Sequence, residues 1–128
     1  MPARILVADT PEGDRRIADI LAGYELVYVR TLGAALRALA DDGFALALIG
    51  VHFDDSRMFD LLRSLQGSPV PVACVRSHHF ASTSISVEGL QVATRALGCA
   101  LFVDLTWYAD DPRGNDAVRK QLESLISP

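Results

Sequence analysis

Five short apolar runs alternate along this chain with stretches of helical period, and that alternation restricts the fold more than any other property of its 128 residues. The runs are RILVA (Arg4 to Ala8), YELVYV (Tyr24 to Val29), ALALIGV (Ala45 to Val51), VPVACV (Val70 to Val75) and CALFVDL (Cys99 to Leu105). They are short, rich in β-branched residues and bounded by turn formers, as strands buried on both faces should be. Between them the apolar residues fall at three- and four-residue intervals. Thr10 is the expected cap of a first helix, with Pro11 at its first position, a stripe of Ile17, Ile20 and Leu21, and Gly23 as its stop. Thr31 is expected to cap a second helix with Leu32, Ala35, Leu36 and Leu39 facing inward. SRMFDLLRSL (residues 56–65) reads as a third helix buried through Phe59, Leu62 and Leu65. A fourth runs near Val87 to Leu97 with Leu90, Ala93 and Leu97 on one side. After a loop at Pro112 to Gly114, Asn115 is expected to cap a last helix with Val118, Leu122, Leu125 and Ile126 inward.

Strand, helix, strand in succession implies parallel crossovers, hence a parallel sheet covered by helices on both faces. Right-handed crossovers leave the doubly wound α/β sheet with strand order 2-1-3-4-5, a flavodoxin-like three-layer fold, as the natural five-strand solution. The whole chain, residues 1–128, is expected to form one domain, with no internal repeat or linker. In such a sheet ligands bind beyond the carboxyl ends of strands 1 and 3, where the winding reverses. Asp9 and Gly50 should face each other there.

The chain carries 12 Lys and Arg against 16 Asp and Glu, a net charge of −4. That gives no basic footprint for nucleic acid or an anionic membrane surface. No apolar run approaches the roughly 20 residues that span a bilayer, and MPARILVAD lacks the layout of a signal peptide. A cytoplasmic protein is expected. Cys74 and Cys99 both sit in apolar runs and are read as reduced core thiols, with a disulfide as the alternative. The chain has no Gly-rich dinucleotide turn, P-loop, nucleophile elbow or zinc spacing, and DTPEGDRR is a poor phosphate loop for a flavin. Neither an enzyme nor a bound cofactor or metal is expected.

At this point the sequence resembles the receiver domains of two-component response regulators, along essentially its whole length. ILVADT is similar to the family's first strand with its terminal acids. LALIGVHFDDSRMFDLLRSL matches the third strand, phospho-acceptor loop and third helix without a gap. PVACVRS is similar to the fourth strand, and ALGCALFVDLTW to the fifth strand and its approach. The resemblance implies the receiver fold and a role in signalling. It also marks what this chain lacks. The family's phospho-acceptor aspartate aligns with Gly50, and its metal-holding acid pair with Asp9 and Thr10. Its hydroxyl at the end of strand 4 aligns with Arg76, its lysine at the end of strand 5 with Leu105, and the next proline with Thr106. Nucleophile, metal ligand, hydroxyl and cation are absent together. Phosphoryl transfer rests on positioning and charge neutralisation, so the expectation is a pseudo-receiver that is not phosphorylated.

Arg76 has two readings: a surface arginine with its stem packed on neighbours, or a guanidinium in the emptied crevice bridging Asp9 and Asp54. His52, His78 and His79 fall in loops on one face, near Cys74, but share no zinc spacing and are not expected to hold a metal. Asp54 and Asp55 are read as solvated loop acids. Phe102 aligns with the aromatic that the family moves on activation. In the family the face of helix 4, strand 5 and helix 5 binds partners or a second copy. The resemblance therefore implies an interaction face at Phe102, Trp107, Tyr108 and Leu90, taking a signalling protein or a homodimer partner. Ser77 to Glu88 is longer than the family's connection and is read as a surface loop or a lid. Two functions compete: an interaction module independent of phosphorylation, and a sensor of a small ligand or anion in the crevice near Arg76.

Overall fold

The computed structural model describes residues 3–41, 43–77 and 86–126. Five parallel strands, β1 (Arg4–Ala8), β2 (Glu25–Val29), β3 (Phe44–Gly50), β4 (Val72–Arg76) and β5 (Leu101–Asp104), form one sheet in the order β2-β1-β3-β4-β5. The helices are α1 (Asp14–Ile20), α2 (Leu32–Leu39), α3 (Met58–Ser64), α4 (Val87–Ala96) and α5 (Pro112–Glu123), with short 3-10 turns at Pro11–Gly13 and Leu105–Trp107. This is the expected doubly wound, flavodoxin-like arrangement. No helix among the described residues is long and apolar enough to cross a membrane.

Successive side chains of a strand point to opposite faces, and that alternation builds two cores. Leu6, Ala8, Ala47, Ile49 and Cys74 face α2, α3 and α4 with Phe53, Met58, Leu61 and Leu90. Ile5, Val7, Leu46, Leu48, Ala73 and Val75 face α1 and α5 with Ile17, Leu21, Val118 and Leu122. The central β1 and β3 need apolar residues on both faces, which is why they read as unbroken runs. Each fully buried Leu or Ile contributes on the order of 1.5–3 kcal/mol of transfer free energy.

Several local expectations change. Thr10 makes no side-chain cap; a 3-10 turn intervenes and α1 starts at Asp14. Thr31 does cap α2, accepting the Ala34 amide at 3.1 Å. Leu36, however, is 42% exposed, because α2 lies over the sheet edge at β1 and β2 and its stripe is only partly covered. The third helix starts at Met58, not Ser56. Asp54, Asp55 and Ser56 have φ of 43°, 52° and 70°, a left-handed run that cannot enter a right-handed helix. At the far end, Asp111 caps α5 by accepting the Gly114 amide at 2.8 Å, so Pro112 to Gly114 form its first turn rather than a loop. A Cβ on Gly114 would lie 1.9 Å from the Ala109 carbonyl oxygen, so only glycine lets that turn close on the preceding chain. Asn115 sits inside the helix, where its side chain accepts from Arg16.

Candidate functional site

The carboxyl ends of β1 and β3 meet as expected, with Ala8 paired to Ile49 and Gly50 next in line. A Cβ built on Gly50 would lie 2.0 Å from Asp9 Oδ1 and 2.1 Å from its Cγ. Those separations are far inside any contact distance. The position without a side chain is therefore filled from the neighbouring strand, by the Asp9 carboxylate. Asp9 is 1% exposed. Its Oδ1 accepts the Thr10 amide at 2.8 Å, and its carbonyl accepts Arg30 Nη1 at 2.9 Å. Gly13 brackets the same group: a Cβ there would meet both Asp9 Oδ2 and Ser77 Oγ at 2.9 Å. Two glycines thus make room for one carboxylate. Arg30 also pairs with both oxygens of Asp14 and stacks on the Tyr28 ring, tying the end of β2 to the start of α1. The Thr10 hydroxyl is buried without a hydrogen-bond partner.

A second charged cluster lies two strands away. Arg76 ends β4 and Asp104 ends β5, and the two are paired in register. Arg76 Nη1 donates to Asp104 Oδ2 at 2.6 Å and to Thr106 Oγ1 at 3.3 Å. Asp104 Oδ1 accepts the Thr106 hydroxyl at 2.5 Å and the Thr106 amide at 2.9 Å. The Arg76 side chain is 12% exposed and that of Asp104 is 0% exposed, so this is an interior ion pair with both carboxylate oxygens occupied. The surface reading of Arg76 does not hold. Of the two carboxylates expected to bind it, Asp54 instead accepts the Leu32 amide at 2.7 Å and holds the start of α2. The carboxylate facing Arg76 is Asp104, which the family alignment passes over for the adjacent Leu105. A signal existed: successive parallel runs ending in VR and VD place opposite charges side by side.

Leu105 is 1% exposed and points into the core under α1 and α5. Its carbonyl accepts Arg16 Nη1 at 2.6 Å, and Arg16 Nη2 donates to the Tyr108 and Ala109 carbonyls at 2.8 and 2.9 Å. Arg16, also not anticipated, thereby fixes the segment after β5. Of the expected interaction residues, Leu90 is 3% exposed in the first core, and Tyr108 packs on the second core with its hydroxyl accepting Gln121. Phe102 is half-buried and lines an open groove of about 400 Å³ between α4 and β5. Trp107 is 62% exposed.

The crevice does not fit the Mg²⁺ of the family it resembles. That ion wants several hard oxygen ligands, and the crevice offers one carboxylate whose Oδ1 already accepts a backbone amide. Among the described residues no group of three or more His, Cys, Asp or Glu gathers to hold a metal. His52 is half-buried and Asp55 exposed. His78, His79 and most of the Ser77 to Glu88 segment lie outside the described residues.

No protein-family model matches the chain, and no curated protein does. Solved structures do. They include a response regulator from Thermotoga maritima, with 14% identity over all of both chains and a TM-score of 0.74. A CheY-like response regulator receiver domain protein from Methanospirillum hungatei JF-1 has 21% identity over 98% of this chain and 94% of that one, at TM-score 0.66. A two-component response regulator from Clostridium difficile has 11% identity over 96% and 94%, at TM-score 0.72. The fold is that of response-regulator receiver domains, and at these identities the likeness is one of fold.

Proposed function

We propose that this chain is a receiver-fold signalling module, in a cytoplasmic pathway of the two-component type, that works without aspartyl phosphorylation by binding a protein in one standing conformation. The observation that carries the reading is the Asp9 carboxylate lying where a side chain at Gly50 would begin. The absence of an acceptor side chain at the end of β3 and the closeness of Asp9 to that position both support the reading. Phosphoryl transfer also needs counter-charge around the transferred group. Here Arg76 is held by Asp104 and Thr106, and Leu105 lies in the core. The same engagement of Arg76 weighs against the anion-sensor alternative.

The module's conformation rests on two fixed features. Asp9 occupies the β1–β3 crevice, and the Arg76–Asp104–Thr106 network joins the ends of β4 and β5. A partner, or a second copy of the chain, would dock on the α4–β5–α5 face, with Trp107 and Phe102 as its exposed and half-exposed aromatics. Incubation with radiolabelled acetyl phosphate and Mg²⁺ tests the reading. No covalent label is expected; label released by hydroxylamine would overturn it.

A further inference from the structure

The short turn that carries Trp107 is held from two sides. From one side comes Arg16 of α1, whose side chain is 11% exposed. Its Nη1 donates to the Leu105 carbonyl at 2.6 Å, its Nη2 to the Tyr108 and Ala109 carbonyls at 2.8 and 2.9 Å, and its Nε to Asn115 Oδ1 at 3.1 Å. Most of the guanidinium donors are thus engaged by one stretch of chain and the helix that follows it. From the other side, the Thr106 hydroxyl accepts Arg76 Nη1 at 3.3 Å, and the Thr106 amide donates to Asp104 Oδ1 at 2.9 Å. The turn also closes on itself, the Tyr108 amide donating to the Leu105 carbonyl at 3.1 Å. Leu105, Thr106, Tyr108 and Ala109 are therefore all tied down around Trp107, whose own side chain is largely exposed.

We infer that Arg16 is the positioning residue of the docking face: it keeps the Trp107 turn in one conformation in the free protein, so that a partner meets a pre-formed anchor. The inference rests on the docking reading above and deepens it. A loose turn would have to be ordered on binding, and that ordering costs affinity. A turn already ordered by an interior arginine does not carry that cost. Arginine suits the task because its planar fork fixes several donors in set directions, whereas a lysine presents a single ammonium on a flexible stem. The base of the arginine is itself fixed. Asp14, two residues earlier, accepts Arg30 Nη1 at 3.0 Å, and the same nitrogen donates to the Asp9 carbonyl at 2.9 Å. Arg16 thus acts from a helix start that is joined to the ends of β1 and β2.

Arg119 supplies a matched comparison. It makes the same kind of bond in the reverse direction, from α5 to the Ala22 and Ile20 carbonyls at 2.7 and 3.3 Å. It joins the same two helices at the other end of α1.

The test is backbone ¹⁵N relaxation on the free, intact chain, with fluorescence of its single tryptophan as a second reporter. In the wild type the amides of Thr106, Trp107, Tyr108 and Ala109 should have order parameters of about 0.85, as rigid backbone does. In Arg16→Met they should fall below about 0.6, and Trp107 anisotropy should drop with them, while Gly50 and Val75 keep their order. Arg119→Met should leave all four amides ordered. Arg16→Lys, which keeps the charge without the fork, should fall between wild type and Arg16→Met, and it carries the test if Arg16→Met does not fold. Flexible amides at 106–109 in the wild type, wild-type order in both Arg16 variants, or equal loosening in Arg119→Met would each overturn the inference. The measurement needs no partner, so its failure leaves the docking reading standing, whereas covalent label from acetyl phosphate overturns that reading alone.

Discussion

The two halves of the sheet's carboxyl edge bury charge in opposite ways. At β1 and β3 a single carboxylate, Asp9, is accommodated by removing side chains around it: Gly50 and Gly13 leave the space, and the Thr10 amide supplies a hydrogen bond. At β4 and β5 the carboxylate of Asp104 is accommodated by adding partners: Arg76 and Thr106 meet both of its oxygens. Glycines make room for the first carboxylate, and an arginine and a threonine hold the second. They should therefore fail differently under substitution.

The largest loss is expected where counter-charge is removed. Arg76→Met leaves Asp104 interior and uncompensated and should cost about 3–5 kcal/mol in urea denaturation, while Arg76→Met with Asp104→Leu should recover most of it. A double variant as unstable as the single would mean that the pair's geometry, not its charge, holds the strand ends. Next comes the crevice. Gly50→Ala places a methyl against Asp9 and should cost about 1–3 kcal/mol as an overpacked site. The contact is pairwise, so Gly50→Ala should be milder in an Asp9→Ala background, and additive costs would place the carboxylate elsewhere. A smaller effect belongs to the Thr31 cap, where Thr31→Ala should cost about 1 kcal/mol through loss of the bond to the Ala34 amide.

The smallest effect is one of pH, outside both regions. The hydrogen bond from Tyr24, with Arg119 beside it, lowers the Glu123 carboxyl below its ordinary value. A lowered acid stabilises the fold above its unfolded-state pKa, and that contribution fades as pH falls through the folded value. Tyr24→Phe should therefore flatten a shallow acid limb in the stability curve below about pH 4.5. An unchanged limb would assign it to other carboxylates.

Much of the fold could be read in advance because β1 and β3 are buried on both faces, and a strand so placed leaves an unbroken apolar run. The same logic brought Asp9 opposite Gly50. What fills the gap was not legible, since a missing side chain looks empty until a neighbour's volume is known. The start of α5 was placed too late, at Asn115, a good cap residue that lies inside the helix capped by Asp111. Pro112 decides it, as proline suits the first helical position that Asp111 precedes. The left-handed turn at Asp54, Asp55 and Ser56 has no glycine to announce it. Asp104 was missed for a different reason. The family alignment drew attention to Leu105, one residue on and on the opposite face of the strand end, although Phe102 and Asp104 share the face that Cys74 and Arg76 present.

The claim that the crevice is closed by Asp9 is tested most directly by following the backbone amides of Asp9, Thr10, Gly50 and Arg76 by NMR as fluoroberyllate and Mg²⁺ are added. The structure predicts that these resonances stay where they are in the free protein. Saturable shifts centred on Gly50 and Asp9, dependent on both additions, would contradict it.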